Sequence, residues 1–227
     1  MSTQRQLIDR WQTPLGKAIQ DRIYSLGMIR AGHGLSADDL FQLLNELPYR
    51  EEVENGRDLR GLGMGASDLD LSGTNFAYGK PMSSFFHCKL MNCVFDGCWG
   101  ERASFHDDLS SCSFVRAKLR SCYFDDSIAT NCDFSNSRLR GCSFQKTDLR
   151  GSRFGNADCR GCSFSGANLL GCDFRGANLV QAVFCDVILD KSTDFRGANL
   201  SRIINTDWRD NYGNIVRKGT DLCRATL

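Results

Sequence analysis

Residues 142–179 read CSFQKTDLRGSRFGNADCRGCSFSGANLLGCDFRGANL, and their large residues keep a strict beat. Phe144, Leu149, Phe154, Cys159, Phe164, Leu169, Phe174 and Leu179 fall five apart. The phase extends back through Phe114, Leu119, Phe124, Ala129, Phe134 and Leu139, and forward to Phe184 and Leu189. A period of five fits neither a helix, at about 3.6, nor a strand, at about 2. These residues can share one core only if the chain turns a corner every five residues. Fixed self-similarity of this kind decides a whole architecture.

The beat continues outside this block with two changes of phase. Phe85, Leu90, Phe95, Gly100 and Phe105 share the period, and one residue is missing between them and the main block, near Asp107–Leu109. Phe195 and Leu200 come one residue late, with the extra residue near Ser192–Asp194. Leu71 and Phe76 begin the pattern, and Leu222 and Leu227 echo it at the end. Two residues before each centre lies a small one: Cys112, Ala117, Cys122, Ser127, Cys132, Ser137, Cys142, Thr147, Ser152, Ala157, Cys162, Ala167, Cys172, Ala177 and Ala182. These supply a second inward contact. Gly and polar residues fill the remaining places, as at Gly141, Gly151, Gly161 and Gly171, where tight corners need them.

Ala167-Asn168-Leu169, Ala177-Asn178-Leu179 and Ala198-Asn199-Leu200 resemble the motif of the pentapeptide-repeat family, Ala-(Asp/Asn)-Leu-x-x. The resemblance covers about two thirds of the chain. It implies a mainly β fold, a right-handed quadrilateral β-helix with four pentapeptides to a coil. The departure from the motif is the heavy use of Cys where the family prefers Ala.

Twenty residues per coil stack residues twenty apart at strand spacing, about 4.8 Å. Phe114, Phe134, Phe154 and Phe174 then form one ladder, and Phe124, Phe144, Phe164 and Phe184 form another on the opposite wall. Leu119, Leu139, Leu149, Leu169 and Leu179 are among the centres of the two walls between. Nine of the twelve cysteines (Cys88, Cys93, Cys98, Cys112, Cys122, Cys132, Cys142, Cys162 and Cys172) take the small inward position. A buried free thiol behaves as a small hydrophobe. Zinc on Cys88, Cys93 and Cys98, or on Cys159 and Cys162, is the competing reading, but structural zinc wants close pairs converging on one point. Packing is preferred, and no metal or cofactor is expected.

The ends read differently. Residues 1–55 are expected to form an N-terminal α-helical cap, residues 56–204 the β-helix and residues 205–227 a C-terminal capping segment. Thr13 is placed to cap a helix that starts at Pro14 and carries Leu15, Ile19, Ile23 and Leu26 along one face, with Gly32 as its stop. Ser36 and Asp39 open a second helix bearing Leu40, Phe41, Leu44 and Leu47, ended by Pro48. Trp208, Tyr212, Ile215 and Val216 are expected to fold over the last coil, with a homodimer contact as their other use. No secretory signal or membrane-length apolar run stands in the sequence, so a cytoplasmic protein is expected.

Chemistry is sparse. His33, His87 and His106 lack a neighbouring nucleophile in a catalytic pattern. Arg60-Gly61-Leu62-Gly63-Met64-Gly65 has no strand-then-helix setting for a phosphate loop, and Asp107-Asp108 and Asp125-Asp126 read as corner residues. No catalytic residue is assigned. The outward positions beside Leu119, Leu139 and Cys159 are Lys118, Arg120, Arg138, Arg140 and Arg160, with Asp158 as the one acid. They form a candidate basic face for an anionic protein partner, or a solvated charged face. The next wall stacks Asp133, Arg153 and Asp173 as a self-neutralising ladder.

The expected function is a non-enzymatic protein-binding or scaffold module. The alternative comes from the resemblance, since some pentapeptide-repeat proteins protect DNA gyrase, a type II topoisomerase, from quinolones and other poisons by imitating duplex DNA. Mimicry demands a strongly acidic surface. Net charge is +1, and residues 101–200 carry 12 Asp and Glu against 13 Lys and Arg. Sequence-specific nucleic-acid binding and membrane association are not expected.

Overall fold

The computed structural model describes residues 4–27, 42, 46–47, 66–67, 70–79, 85–86, 88–205, 208–209 and 215–217. Its body is a right-handed quadrilateral β-helix. Each side of the square contributes one short rung, and rungs of successive coils pair in parallel. We name the walls in chain order. Wall A has the centres Leu109, Ala129, Leu149, Leu169 and Leu189; wall B has Phe114, Phe134, Phe154, Phe174 and Phe195. Wall C has Leu119, Leu139, Cys159, Leu179 and Leu200; wall D has Phe105, Phe124, Phe144, Phe164 and Phe184. All of these centres are buried.

Both phase changes read from the sequence are visible in the pairing. Lys118 pairs with Arg138, the regular step of twenty, whereas Trp99 pairs with Lys118 nineteen positions on. Asn178 pairs with Asn199, twenty-one on. The ladder stays continuous because the missing and the extra residue fall between rungs.

The rings of wall B stack face to face, 4.8 Å apart between Phe114 and Phe134 and 4.9 Å between Phe134 and Phe154. Wall D does the same, with 4.7 Å between Phe124 and Phe144. The two ladders also meet each other edge to face. Phe124 lies 5.6 Å from Phe134 at 87°, and Phe134 lies 5.5 Å from Phe144 at 82°. Edge-to-face and parallel contacts both suit the ring quadrupole. Rings from opposite walls therefore interlock along the axis.

Each corner needs one residue in the left-handed region. Gly151 and Gly176 take it at φ +70 and +68. A Cβ at either would stand 2.5 Å from the amide oxygen of the Asn one coil below, Asn131 or Asn156. At those two corners glycine is set by the stacked neighbour as well as by φ.

At the N-terminus, helix α1 (Gln4–Asp9) leads through a 3-10 turn (Arg10–Gln12) into helix α2 (Pro14–Gly27). The Gly16 N–H donates to Thr13 Oγ1 at 3.0 Å, so Thr13 caps α2 and Pro14 is its first residue. Ile19 is buried but Leu15 is 45% exposed, which corrects its expected place on the inward face. The anchor that sequence reading missed is Trp11, buried under the Arg10 guanidinium at 5.3 Å from the ring. Trp11, Ile19 and Leu47 belong to the same buried cluster as Leu71 and Phe76. The expected second helix lies outside the described residues, apart from Gln42, Glu46 and Leu47, and so do Gly32, Tyr212, Leu222 and Leu227. Trp208–Arg209 and Ile215–Arg217 pair antiparallel. Among the described residues no helix is long and apolar enough to cross a membrane.

Candidate partner-binding face

Every strand of wall C places its centre inward and both flanks outward, as in Lys118-Leu119-Arg120, where only Leu119 is buried. The period of two along a rung sends alternate residues to opposite faces. Stacking then arranges the flanks into two columns. One runs Trp99, Lys118, Arg138, Asp158, Asn178 and Asn199. The other holds Glu101, Arg120, Arg140 and Arg160 beside the same centres. All five cations assigned from the sequence therefore lie on one wall. Glu101 joins Asp158 as a second acid; it sits in the block before the phase change, where its register is harder to read.

The second column is largely paired. Arg140 Nε donates to Asp158 Oδ2 at 2.6 Å, and Arg160 Nε and Nη2 donate to the two oxygens of the same carboxylate at 2.8 and 2.9 Å. Arg120 Nη1 lies 3.8 Å from Glu101 Oε1. The first column differs. Among the described residues Lys118 and Arg138 have no ion pair, yet they are bridged neighbours, both exposed. Like charges directly opposite in a ladder repel. Beside them Trp99 is 52% exposed.

Wall B carries its charges differently. Arg153 lies 3.8 Å from Asp133, as the alternating ladder implied, but Asp173 is held by Arg175, whose Nη2 donates to Oδ2 at 2.6 Å. Asp194 repeats the arrangement with Arg196. Hydrogen bonds from these guanidinium groups lower both carboxyls, Asp194 to about 2.

The inward small positions do more than fill space. Cys162 Sγ donates to the Leu139 carbonyl of the coil below at 2.9 Å, Cys132 Sγ to Leu109 at 3.0 Å and Cys172 Sγ to Leu149 at 3.0 Å. Thr147 Oγ1 and Ser152 Oγ make the same bond to Phe124 and Ala129 at 2.6 Å. Cys, Ser and Thr thus share a donor that Ala lacks, a reason for the cysteines that volume alone did not reveal. Cys93, Cys112 and Cys132 occupy one inward column, and Cys122, Cys142 and Cys162 another, because coil spacing repeats each position. Burial pushes the Cys132 thiol up to about 12 and raises Cys142, Cys162 and Cys172 as well, which keeps them neutral. Among the described residues no group of three or more His, Cys, Asp or Glu is arranged to hold a metal ion.

The carboxylate pairs serve corners. Asp108 Oδ1 accepts the Ser110 N–H at 2.8 Å, and Asp125 Oδ1 accepts the Gln145 N–H at 2.8 Å. His33, His87 and residues 60–65 lie outside the described residues.

Comparison with known proteins agrees with this geometry. A family model described as "Pentapeptide repeat region" matches residues 107–184, and one described as "Pentapeptide repeats (8 copies)" matches residues 171–204. Among solved structures, a pentapeptide repeat protein (Rfr23) from the cyanobacterium Cyanothece 51142 is 19% identical at a TM-score of 0.27, over 47% of this chain and 59% of that one. The chain thus spans less than two thirds of that relative. A pentapeptide repeat protein of the Arabidopsis thaliana thylakoid lumen is 23% identical at 0.29, covering 78% and 94%. QnrB1, a plasmid-mediated fluoroquinolone resistance protein, is 19% identical at 0.28, covering 73% and 89%. No curated protein matches the chain. With their period and four-walled coil, residues 107–204 match the pentapeptide-repeat family models in sequence and geometry.

Proposed function

We propose that this chain is a non-enzymatic protein-binding or scaffold module, a stiff rod whose wall C docks an anionic protein surface. The observation that carries the reading is the stacked pair Lys118 and Arg138, two bridged cations with no ion pair among the described residues. An acidic partner relieves that repulsion, and the packed shaft holds the backbone that carries the two cations. Stacked rungs hold the backbone ready, so docking orders side chains only, which lowers the entropic cost of binding. We place the module in the reducing cytoplasm, where buried free thiols persist. Residues 1–55 and 205–227 serve as end caps, the latter with a homodimer contact as its other use.

The test is capture from the native host by immobilised protein, alongside Arg120→Glu/Arg140→Glu and Lys118→Glu/Arg138→Glu. The expected result is an acidic protein retained at low salt, released as salt rises and lost with both charge reversals. Retention that ignores the reversals rejects wall C as the docking face. The competing role, gyrase protection by DNA mimicry, requires an acidic wall, and wall C bears five cations against Glu101 and Asp158. A gyrase supercoiling and cleavage assay with and without a fluoroquinolone separates the two: the rod we describe leaves both unchanged.

A further inference from the structure

The first column of wall C has an order as well as a charge. Trp99 stands one rung below Lys118 and two below Arg138, with Asp158 above them. The rung spacing follows the coil step, measured on the adjoining wall B as 4.9 Å between Phe95 and Phe114 and 4.8 Å between Phe114 and Phe134. An exposed indole followed by two cations is the composition of an interface centre, where Trp and Arg are enriched. The sequence of the three defines the partner. It must offer an apolar group, then a negative charge, then another, at intervals near 5 and 10 Å.

Two common backbones can be compared with those intervals. An extended strand repeats same-face side chains about every 6.8 Å and drifts out of register by the second contact. An α-helix rises about 1.5 Å per residue, so residues three and seven positions on lie roughly 4.5 and 10.5 Å along its axis. Three to four residues is also the spacing at which side chains share one helical face. The wall is flat and roughly 10 Å wide for about three extended residues, which matches a helix diameter of about 10–12 Å. Asp158 at the upper end is already held by Arg140 and Arg160, so this column offers no third cation to an acid placed one rung too far.

Building on the docking role assigned to wall C, the geometry points to its occupant: an α-helix of another protein, lying along the rod axis, with an apolar residue on Trp99 and acidic residues about three and seven positions away on Lys118 and Arg138. Duplex DNA is a poorer match. It repeats charge without an apolar group for Trp99.

The full-length protein tests this with fluorescein-labelled Ala/Gln-based helical peptides. In one, Leu is followed by Glu at the third and seventh positions; a second has the reverse order; a third has the same composition with both Glu on the opposite face. The expected result is that one of the first two binds at least about fivefold more tightly than the third in low salt. Trp99→Ala should weaken that peptide about fivefold, and Lys118→Glu/Arg138→Glu by more than about tenfold. Equal binding of all three peptides, indifference to Trp99→Ala, tighter binding of a 20-base-pair duplex, or no binding of any peptide at millimolar concentration overturns the inference. If charge reversal still abolishes peptide binding while register and Trp99 do not matter, wall C remains an anionic docking face and only the helical occupant falls. If charge reversal changes nothing, both readings fall.

Discussion

The inside and the outside of the same rungs obey different rules. Leu119, Leu139, Leu179 and Leu200 repeat because each fills the same slot one coil apart, with Gly100 and Cys159 as the smaller departures. One residue away, the outward column changes from Trp99 to Lys118, Arg138, Asp158 and Asn178 without disturbing the pairing. Inward identity is constrained by a shaft packed with rings at van der Waals distance, where a lost methylene is felt. Outward identity is constrained mainly by solvent and by whatever docks there. In this architecture the repeating positions report the fold, and the departures from repetition report the use.

That contrast breaks first at the rings. Phe144→Ala removes a ring that stacks on Phe124 and Phe164 and meets Phe134 and Phe154 edge to face. It should cost roughly 3–5 kcal/mol in urea denaturation. A loss below about 1 kcal/mol would mean that the shaft collapses around the gap and that inward identity is not strict.

The inward small positions sharpen it at an intermediate scale. Cys162→Ala loses both the sulfur and the donor to the Leu139 carbonyl and should cost about 1–2 kcal/mol, whereas Cys162→Ser keeps a donor and should cost less. Equal costs would show that volume, and not the inter-coil hydrogen bond, selects Cys in that column.

The smallest effect belongs to the exterior. Asp173 and Asp194 have folded-state pKa values below their unfolded ones, with Asp194 near 2. Their stabilisation is therefore present above the unfolded pKa and is lost as pH falls through the folded one. The urea midpoint should drift down between about pH 4 and 2, and Arg196→Gln should flatten that drift. An unchanged slope would mean that these exposed pairs contribute nothing measurable, as surface pairs often do.

The repeat, the four walls, the two phase changes and the gathering of five cations on one wall were all legible in the sequence. The beat and its phase changes follow from counting, and the walls follow once the family resemblance supplies four pentapeptides to a coil. The Thr13 cap was legible too, since capping is local. Leu15 misled because helical periodicity marks a stripe but not which end of it a neighbour covers. Trp11 went unread because the contact burying it follows from no local period.

The amino-acid order by itself therefore determined the beat of five and which positions face inward, and through its family resemblance the four-sided coil. Only the tertiary structure decided the pairings across coils. It joined Asp158 to Arg140 of the coil below and Glu101 to Arg120 of the coil above, left Lys118 and Arg138 stacked on each other, and turned buried thiols toward carbonyls one coil away. The physical reason is distance. Such partners are neighbours through a 4.8 Å step between rungs but lie eighteen to twenty-three residues apart along the chain, where side-chain direction and hydrogen-bond geometry are set by stacking.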